Sequence, residues 1–242
     1  RHARGPGELS CFEHGTIEEV LEDAASHLAP GGPVSRKSRH PIASTPARAS
    51  LAGDLARVRD WCAKQLAEFE PQLSWARALR AAIPEDGILV NELTQVGYFA
   101  NLAYPVNSPR TLITPGYQGT LGYGWATALG AAVGNPERPV VSISGDGGFG
   151  QYAMEFTTAV KVGMNITHIL LNNAQLGKIT KEQRAGEWPV WETHLRNPSF
   201  AMFAKQCGGH GVKVTAAAGL DRAIAEALAF KGPALVEVMT DP

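Results

Sequence analysis

The sequence predicts an α/β fold, a parallel sheet with helices on both faces. Three observations carry the prediction. Short apolar runs of strand length alternate with longer segments whose apolar residues recur at helical spacing. Runs such as Pro139–Ser144 are of the type that strands buried on both faces require. Two of the runs end in turn-forming residues, Gly145–Gly150 and Asn172-Asn173. Strands joined by helices form a parallel sheet with right-handed crossovers, so the turns at the strand ends gather along one edge.

Taken in order, residues 10–29 read as a short strand and a helix. Thr16 and Glu19 make a capping box, and Val20, Leu21, Ala24 and Leu28 an apolar face. This unit is too small to fold alone, and residues 1–30 read as a piece of a preceding domain. Residues 31–50, rich in Pro, Gly, Ser and basic side chains, read as a linker. Residues 51–242 form the main domain. Helices are expected over 52–69 and 74–82, and a strand at Ile88–Val90 that runs on to about residue 92. The glycine-rich turn Gly119–Gly124 leads into a small-residue helix over 124–133. Strand 139–144 meets the turn Gly145–Gly150, and a helix over 151–162 stops near Gly163. Strand 166–171 ends at the Asn pair. Asn197-Pro198 opens a helix that closes at Gly208-Gly209. Strand 212–215, helix 219–230 and strand 234–239 complete the chain.

Composition narrows the function. The 242 residues carry 22 Lys and Arg against 23 Asp and Glu, a net charge of −1, which gives no electrostatic case for nucleic acid or an anionic membrane. No apolar run approaches the ~18 residues of a membrane span. Cys11, Cys62 and Cys207 are far apart and read as reduced thiols of a cytoplasmic protein. His168 lies in an apolar strand and reads as a core histidine rather than a metal ligand. The chain opens on Arg1 rather than Met, which reads as a fragment or a processed piece.

The chemistry concentrates at 145–177. Gly145-Asp146-Gly147 follows an apolar strand; 24 residues later comes Asn172-Asn173, after the next one. Asp146 offers a carboxylate oxygen, Asn173 an amide oxygen and Gln175 a backbone carbonyl, which is an oxygen set for a hard cation such as Mg²⁺ that shares its shell with phosphate. Gly147 and Gly148 let backbone N–H groups approach an anion at a helix start. The same turn fits GxGxxG, so a dinucleotide fold is a rival. That fold calls for an acid ~20 residues on; Asn172 and Asn173 stand there instead.

These residues resemble the motif of thiamine-diphosphate-dependent enzymes of the acetolactate synthase, pyruvate oxidase and 2-oxo acid decarboxylase family, over roughly residues 72–242. The resemblance implies thiamine diphosphate and Mg²⁺ as cofactors, with Asp146, Asn173 and the Gln175 carbonyl as metal ligands. It implies diphosphate or cofactor contacts at Gly145, Gly147, Gly148, Leu176 and Gly177, and at Thr94 and Gln95 in a second segment. Gly119-Thr120-Leu121 is similar to the family segment that wedges a large apolar residue, here Leu121, under the bent cofactor. Asn173–Gln183 is similar to pyruvate oxidases, which makes Ile179 and Glu182 the candidates facing substrate. Lys178 stands where pyruvate oxidases have an aromatic residue, so FAD is compatible with the family but not called for by this chain. Trp is what acetolactate synthases have at the place of Glu182. Trp188 and Trp191 are candidates to cover the site or simply to pack. The family chemistry, decarboxylation of a small 2-oxo acid followed by carboligation or oxidation, also needs a pyrimidine-binding domain with an activating glutamate. Its absence from this sequence implies a partner chain, either a separately encoded subunit or the missing part of a cut polypeptide, and a hetero- or homo-oligomer. The alternatives are a non-catalytic, cofactor-binding regulatory subunit and an NAD-dependent oxidoreductase.

Overall fold

A computed structural model describes residues 46–116 and 118–241. The expected strand and helix over 10–29, the domain remnant 1–30 and Cys11 lie outside the described residues. The chain divides into two units at Arg57 and Val58, and the α/β architecture belongs to the second. Helix α1 spans Pro46–Leu66, so the last five residues of the expected linker are helical. A proline in the first turn sacrifices no helical hydrogen bond.

The sheet has six strands: β1 (Ile88–Asn91), β2 (Leu112–Ile113), β3 (Val140–Gly145), β4 (Ile166–Asn172), β5 (His210–Val214) and β6 (Ala234–Met239). Their order is β2-β1-β3-β4-β6-β5, and every pairing is parallel. The two-residue β2 was too short to read from sequence. So was α3 (Gln95–Ala103), whose start depends on the Thr94 cap rather than on apolar periodicity. The remaining helices are α2 (Gln72–Ala82), α4 (Tyr123–Gly134), α5 (Asp146–Tyr152), α6 (Phe156–Val162), α7 (Gly177–Ala185), α8 (Phe200–Gln206) and α9 (Leu220–Ala229). Among the described residues no helix is long and apolar enough to cross a membrane.

Alternate strand residues face opposite layers. Leu89, Val141, Ile143, Ile169, Leu171, Val236 and Val238 pack with α2, α3 and α9. Ile88, Val90, Val140, Ile166, Leu170 and Leu235 pack with α4, α5, α6 and α8. The result is helix–sheet–helix, as expected.

One expectation fails at the point that matters most. Residues 145–150 are not a turn leading to a helix at 151; helix α5 begins at Asp146, and a short 3₁₀ turn, Ala153–Glu155, separates it from α6. Glycine disfavours helix by about 1 kcal/mol per residue relative to alanine, which is why local reading gave a turn. Tertiary packing reverses it. Phe149 is fully buried, 4.6 Å from the His168 ring, 5.8 Å from Trp125 and 5.6 Å from Phe200, and this anchors the glycine-rich turn of helix. The helix expected from Asn197-Pro198 likewise starts later, at Phe200, capped by the Ser199 hydroxyl.

His168 is a core residue between Trp125 and Phe149. Its Nδ1 lies 2.6 Å from the Ser142 hydroxyl and its Nε2 2.9 Å from that of Ser144. Burial lowers its pKa from 6.5 to about 3, so the folded protein keeps the ring neutral. The unfolded chain takes up a proton below 6.5 that the folded chain refuses, so stability is full above that pH and declines below it. Unfolding free energy from urea titration should fall between about pH 7 and about pH 5 by up to ~1.4 kcal/mol per pH unit from this group. In His168→Gln that part of the slope should vanish; an unchanged slope would acquit the histidine.

Candidate functional site

The order β2-β1-β3 means that the chain leaves β1 toward one edge of the sheet and returns on its other side as β3. A crevice opens at such a reversal, outside the C-terminal strand ends. The segments singled out by sequence meet there. Thr94 follows β1, and its Cγ2 lies 3.6 Å from where a side chain on Gly145 would begin. A Cβ on Gly147 would come within 2.9 Å of Leu176, and one on Gly177 within 3.1 Å of the Asn173 amide nitrogen. A Cβ on Gly119 would come within 3.0 Å of Leu93. Residues 93–94, 119, 145–147 and 173–177 therefore belong to one contiguous edge.

Asp146 is buried, and its Oδ2 accepts a hydrogen bond from Asn197 Nδ2 at 2.5 Å. Burial pushes the carboxyl above the usual carboxylate range, opposed by hydrogen bonds from Asn197 and from the backbone N–H groups of Gly147, Asp146 itself and Ala174. Among the described residues no Lys, Arg or His forms a salt bridge with it. A desolvated carboxylate surrounded by neutral donors is a place where a cation's charge is favourable.

The Asn pair shapes the opposite wall. Asn172 Oδ1 accepts from Ala174 N–H, and Asn173 Oδ1 accepts from Gln175 N–H, both at 3.1 Å. Two successive side-chain turns of this kind hold Ala174 in the left-handed region at φ 53. Gln175 faces His194 across an antiparallel bridge. The bridge's hydrogen bonds run from Leu176 N–H to Thr193 O and from Leu195 N–H to Ala174 O, leaving the Gln175 carbonyl outside it. Donor chemistry thus fits a hard divalent cation: one carboxylate, one amide oxygen and one carbonyl on adjoining strand ends.

Two further groups lie on this edge that the sequence reading passed over. Glu92, directly after β1, is 1% exposed. Gly122 N–H donates to its Oε1 and Gly124 N–H to its Oε2, each at 2.8 Å. The carboxylate therefore stops the first turn of α4, right behind Leu121. Gly122 takes φ 87, a left-handed conformation suited to glycine, and a Cβ on Gly148 would lie 1.9 Å from Glu92 Oε1. Asn197, read as a helix opener, instead bridges Asp146 and Asn172. The available signals were an acid ending an apolar strand and an Asn standing two residues before the actual helix cap.

Other expected residues take more modest places. The Thr94 hydroxyl accepts from Gly97 N–H at 2.8 Å and caps α3. Gln95 is exposed in its first turn and accepts from Gln72 Nε2. Thr120 is exposed and Leu121 half-buried. Ile179 is exposed on α7, and Glu182, also exposed, is ion-paired with Lys178 one turn away, which holds its carboxyl below the ordinary range. Trp188 and Trp191 are 68% and 72% exposed, so neither packs into the core.

Residues 93–238 match the thiamine pyrophosphate enzyme C-terminal TPP binding domain. The chain belongs to the thiamine pyrophosphate enzyme family. A Bacillus subtilis protein described as thiamine pyrophosphate-containing, YdaP, is 35% identical over 171 residues, covering 71% of this chain and 30% of that protein. The mitochondrial acetolactate synthase catalytic subunit of Saccharomyces cerevisiae is 38% identical over 135 residues, 55% of this chain and 20% of the relative. Among solved structures, the thiamine diphosphate-dependent 4-hydroxybenzoylformate decarboxylase of Rhodococcus jostii RHA1 superposes with a TM-score of 0.64 at 26% identity, covering 70% of this chain and 32% of that one. The chain spans about a third or less of the length of these relatives. With thiamine pyrophosphate as the family cofactor, the dinucleotide reading of Gly145–Gly150 has no independent support.

The Glu92 clamp yields a stability test. Glu92→Ala orphans two buried N–H groups, at about 1–3 kcal/mol each, and Gly148→Ala forces a methyl into the carboxylate, at about 1–3 kcal/mol. Burial raises the Glu92 pKa above 4.5, opposed by the bonds from Gly122 and Gly124. Its contribution is thus fully present below 4.5 and is lost as pH rises through the raised value. Urea titrations of wild type and Glu92→Gln should show wild type losing ground to the variant across that window; parallel curves would contradict the buried-anion picture.

Proposed function

We propose that this chain is the diphosphate- and Mg²⁺-binding half of a thiamine-diphosphate-dependent enzyme acting on 2-oxo acids, completed by a pyrimidine-binding domain on another chain. The single observation that carries the reading is the buried Asp146 carboxylate, without a cationic partner among the described residues and tied through Asn197 to the Asn172-Asn173 wall. Asp146, Asn173 Oδ1 and the Gln175 carbonyl would hold the metal. Thr94, Gln95, Gly145, Gly147, Gly148, Leu176 and Gly177 would surround the diphosphate, where small residues let backbone N–H groups approach. Gly119, Thr120 and Leu121 would support the rings, with Leu121 braced through Gly122 by Glu92.

When bound, thiamine diphosphate supplies a carbon nucleophile that accommodates the charge left as a 2-oxo acid loses its carboxylate. This chain's residues do the rest by position. The left-handed turn at Ala174, closed by the Asn173 Oδ1 bond to Gln175 N–H, would hold the amide and carbonyl oxygens in place. The Glu92 clamp fixes the height of Leu121. Glu182, ionised through its Lys178 pair, is suited to orient substrate or accept a proton rather than to donate one. Protonation, ligation and oxidation are the outcomes open to such a site, and Ile179 and Glu182 lie on the helix that would face the substrate.

Asp146→Ala removes the only carboxylate in the proposed ligand set. It should lower Mg²⁺-dependent thiamine diphosphate affinity by more than about 100-fold, beyond the loss typical of outer-shell changes. The variant orphans the donors that Asp146 satisfies, at about 1–3 kcal/mol each, offset in part by removal of a buried charge, and the fold should survive. Calorimetric titration with and without Mg²⁺ checks it, and unchanged affinity would take Asp146 out of the site. Gel filtration with the copurifying partner should show a cofactor-stabilised complex; turnover by the isolated chain would defeat the half-site reading.

A further inference from the structure

We infer that Asn197 and Glu237 are positioning residues that fix which oxygen of Asp146 is presented to the metal; the inference rests on the metal reading above. Glu237 lies in the middle of β6 and is 0% exposed. A carboxylate there only accepts hydrogen bonds. Its Oε2 takes Ala201 N–H at 3.0 Å and the Ser199 hydroxyl at 3.4 Å. Its Oε1 takes Asn172 Nδ2 at 2.9 Å, with Lys213 Nζ 3.6 Å away.

The consequence is directional. An acceptor at Glu237 compels Asn172 to point its NH₂ toward β6 and its Oδ1 the other way. That oxygen accepts from Ala174 N–H and from Asn197 Nδ2 at 3.0 Å. Asn197 must therefore present its NH₂, and its second hydrogen goes to Asp146 Oδ2. A flip of either amide would set donor against donor or oxygen against oxygen within a buried network, which is costly. The polarity imposed at β6 thus passes across the end of β4 to the carboxylate that follows β3. Oδ2 is engaged by the Asn197 amide and the carboxyl's other donors are the backbone N–H groups of Gly147, Asp146 and Ala174, so Oδ1 is the oxygen assigned to the cation and Asp146 would act as a one-oxygen ligand. That leaves room in a six-oxygen shell for phosphate and water.

The test is Mn²⁺ affinity of the full chain in complex with its copurifying partner, read by electron paramagnetic resonance in the presence of thiamine diphosphate. The proteins are wild type, Asp146→Ala, Asn197→Ala, Glu237→Gln and the Asn197→Ala/Glu237→Gln double variant, each checked for fold by circular dichroism. Asn197→Ala should weaken Mn²⁺ by about 10–100-fold, the range for outer-shell partners. Glu237→Gln should weaken it in the same direction, and the double variant should be no worse than the worse single one, because both act through one relay. Should Glu237→Gln not fold, Asn197→Ala in its loop position still decides. Loss in Asp146→Ala with wild-type affinity in Asn197→Ala would overturn the positioning role alone, as would additive losses in the double variant. Unchanged affinity in Asp146→Ala, or no Mn²⁺ bound by wild type, would overturn the metal reading and this inference with it.

Discussion

Parallel pairing of β3 with β4 is the constraint on which the site rests. The register sets Gly145 opposite Leu171, so the residues that follow, Asp146 on one strand and Asn172 and Asn173 on the other, emerge side by side. Parallel strands share a polarity, and their ends share an edge. Neither the carboxylate nor the amide needs a long side chain to meet the other, because the backbone delivers both. Short side chains have few rotamers to lose, which keeps the two groups in a defined geometry.

Around that pair the protein places polar groups in the interior and satisfies them. Glu92 is held by two backbone N–H groups, Glu237 by an amide, a backbone N–H and a hydroxyl, and Asn197 spans two acceptors. Both acids lie on the layer facing α4, α5 and α8, the layer that also carries the aromatic cluster. Each carboxylate meets glycine or the start of a helix, where backbone N–H groups lack intrahelical partners. The apolar contacts of Phe149, Trp125 and Phe156 hold the helices against the sheet, and the buried acids set their longitudinal position.

Much of this was legible beforehand. Strand ends at 145 and 172 followed from apolar runs stopping at Gly and Asn, and with them the placing of Asp146 and the Asn pair on adjoining strand ends. What escaped was decided by tertiary contacts. The start of α5 at Asp146 contradicts the local preference of three glycines and is imposed by the burial of Phe149. Asn197 and Glu237 act across 51 and 65 residues of sequence respectively, a separation that no local pattern encodes. Glu92 was visible as an acid closing an apolar strand, but its two partners come from a turn some thirty residues later. The exposed placements of Glu182, Trp188 and Trp191 were equally beyond reach, since nothing in a helix or strap of mixed polarity says which way it faces.

The ring of His168 works as a key in a slot. It spans the hydroxyls of Ser142 and Ser144, two residues on one face of β3, from the neighbouring strand. Sliding β4 by a single step would turn the imidazole to the opposite layer and strand both hydroxyls. The two central strands can therefore lock in one alignment only, and the spacing of the oxygens at their tips is gauged deep inside the molecule, well away from any ligand they receive.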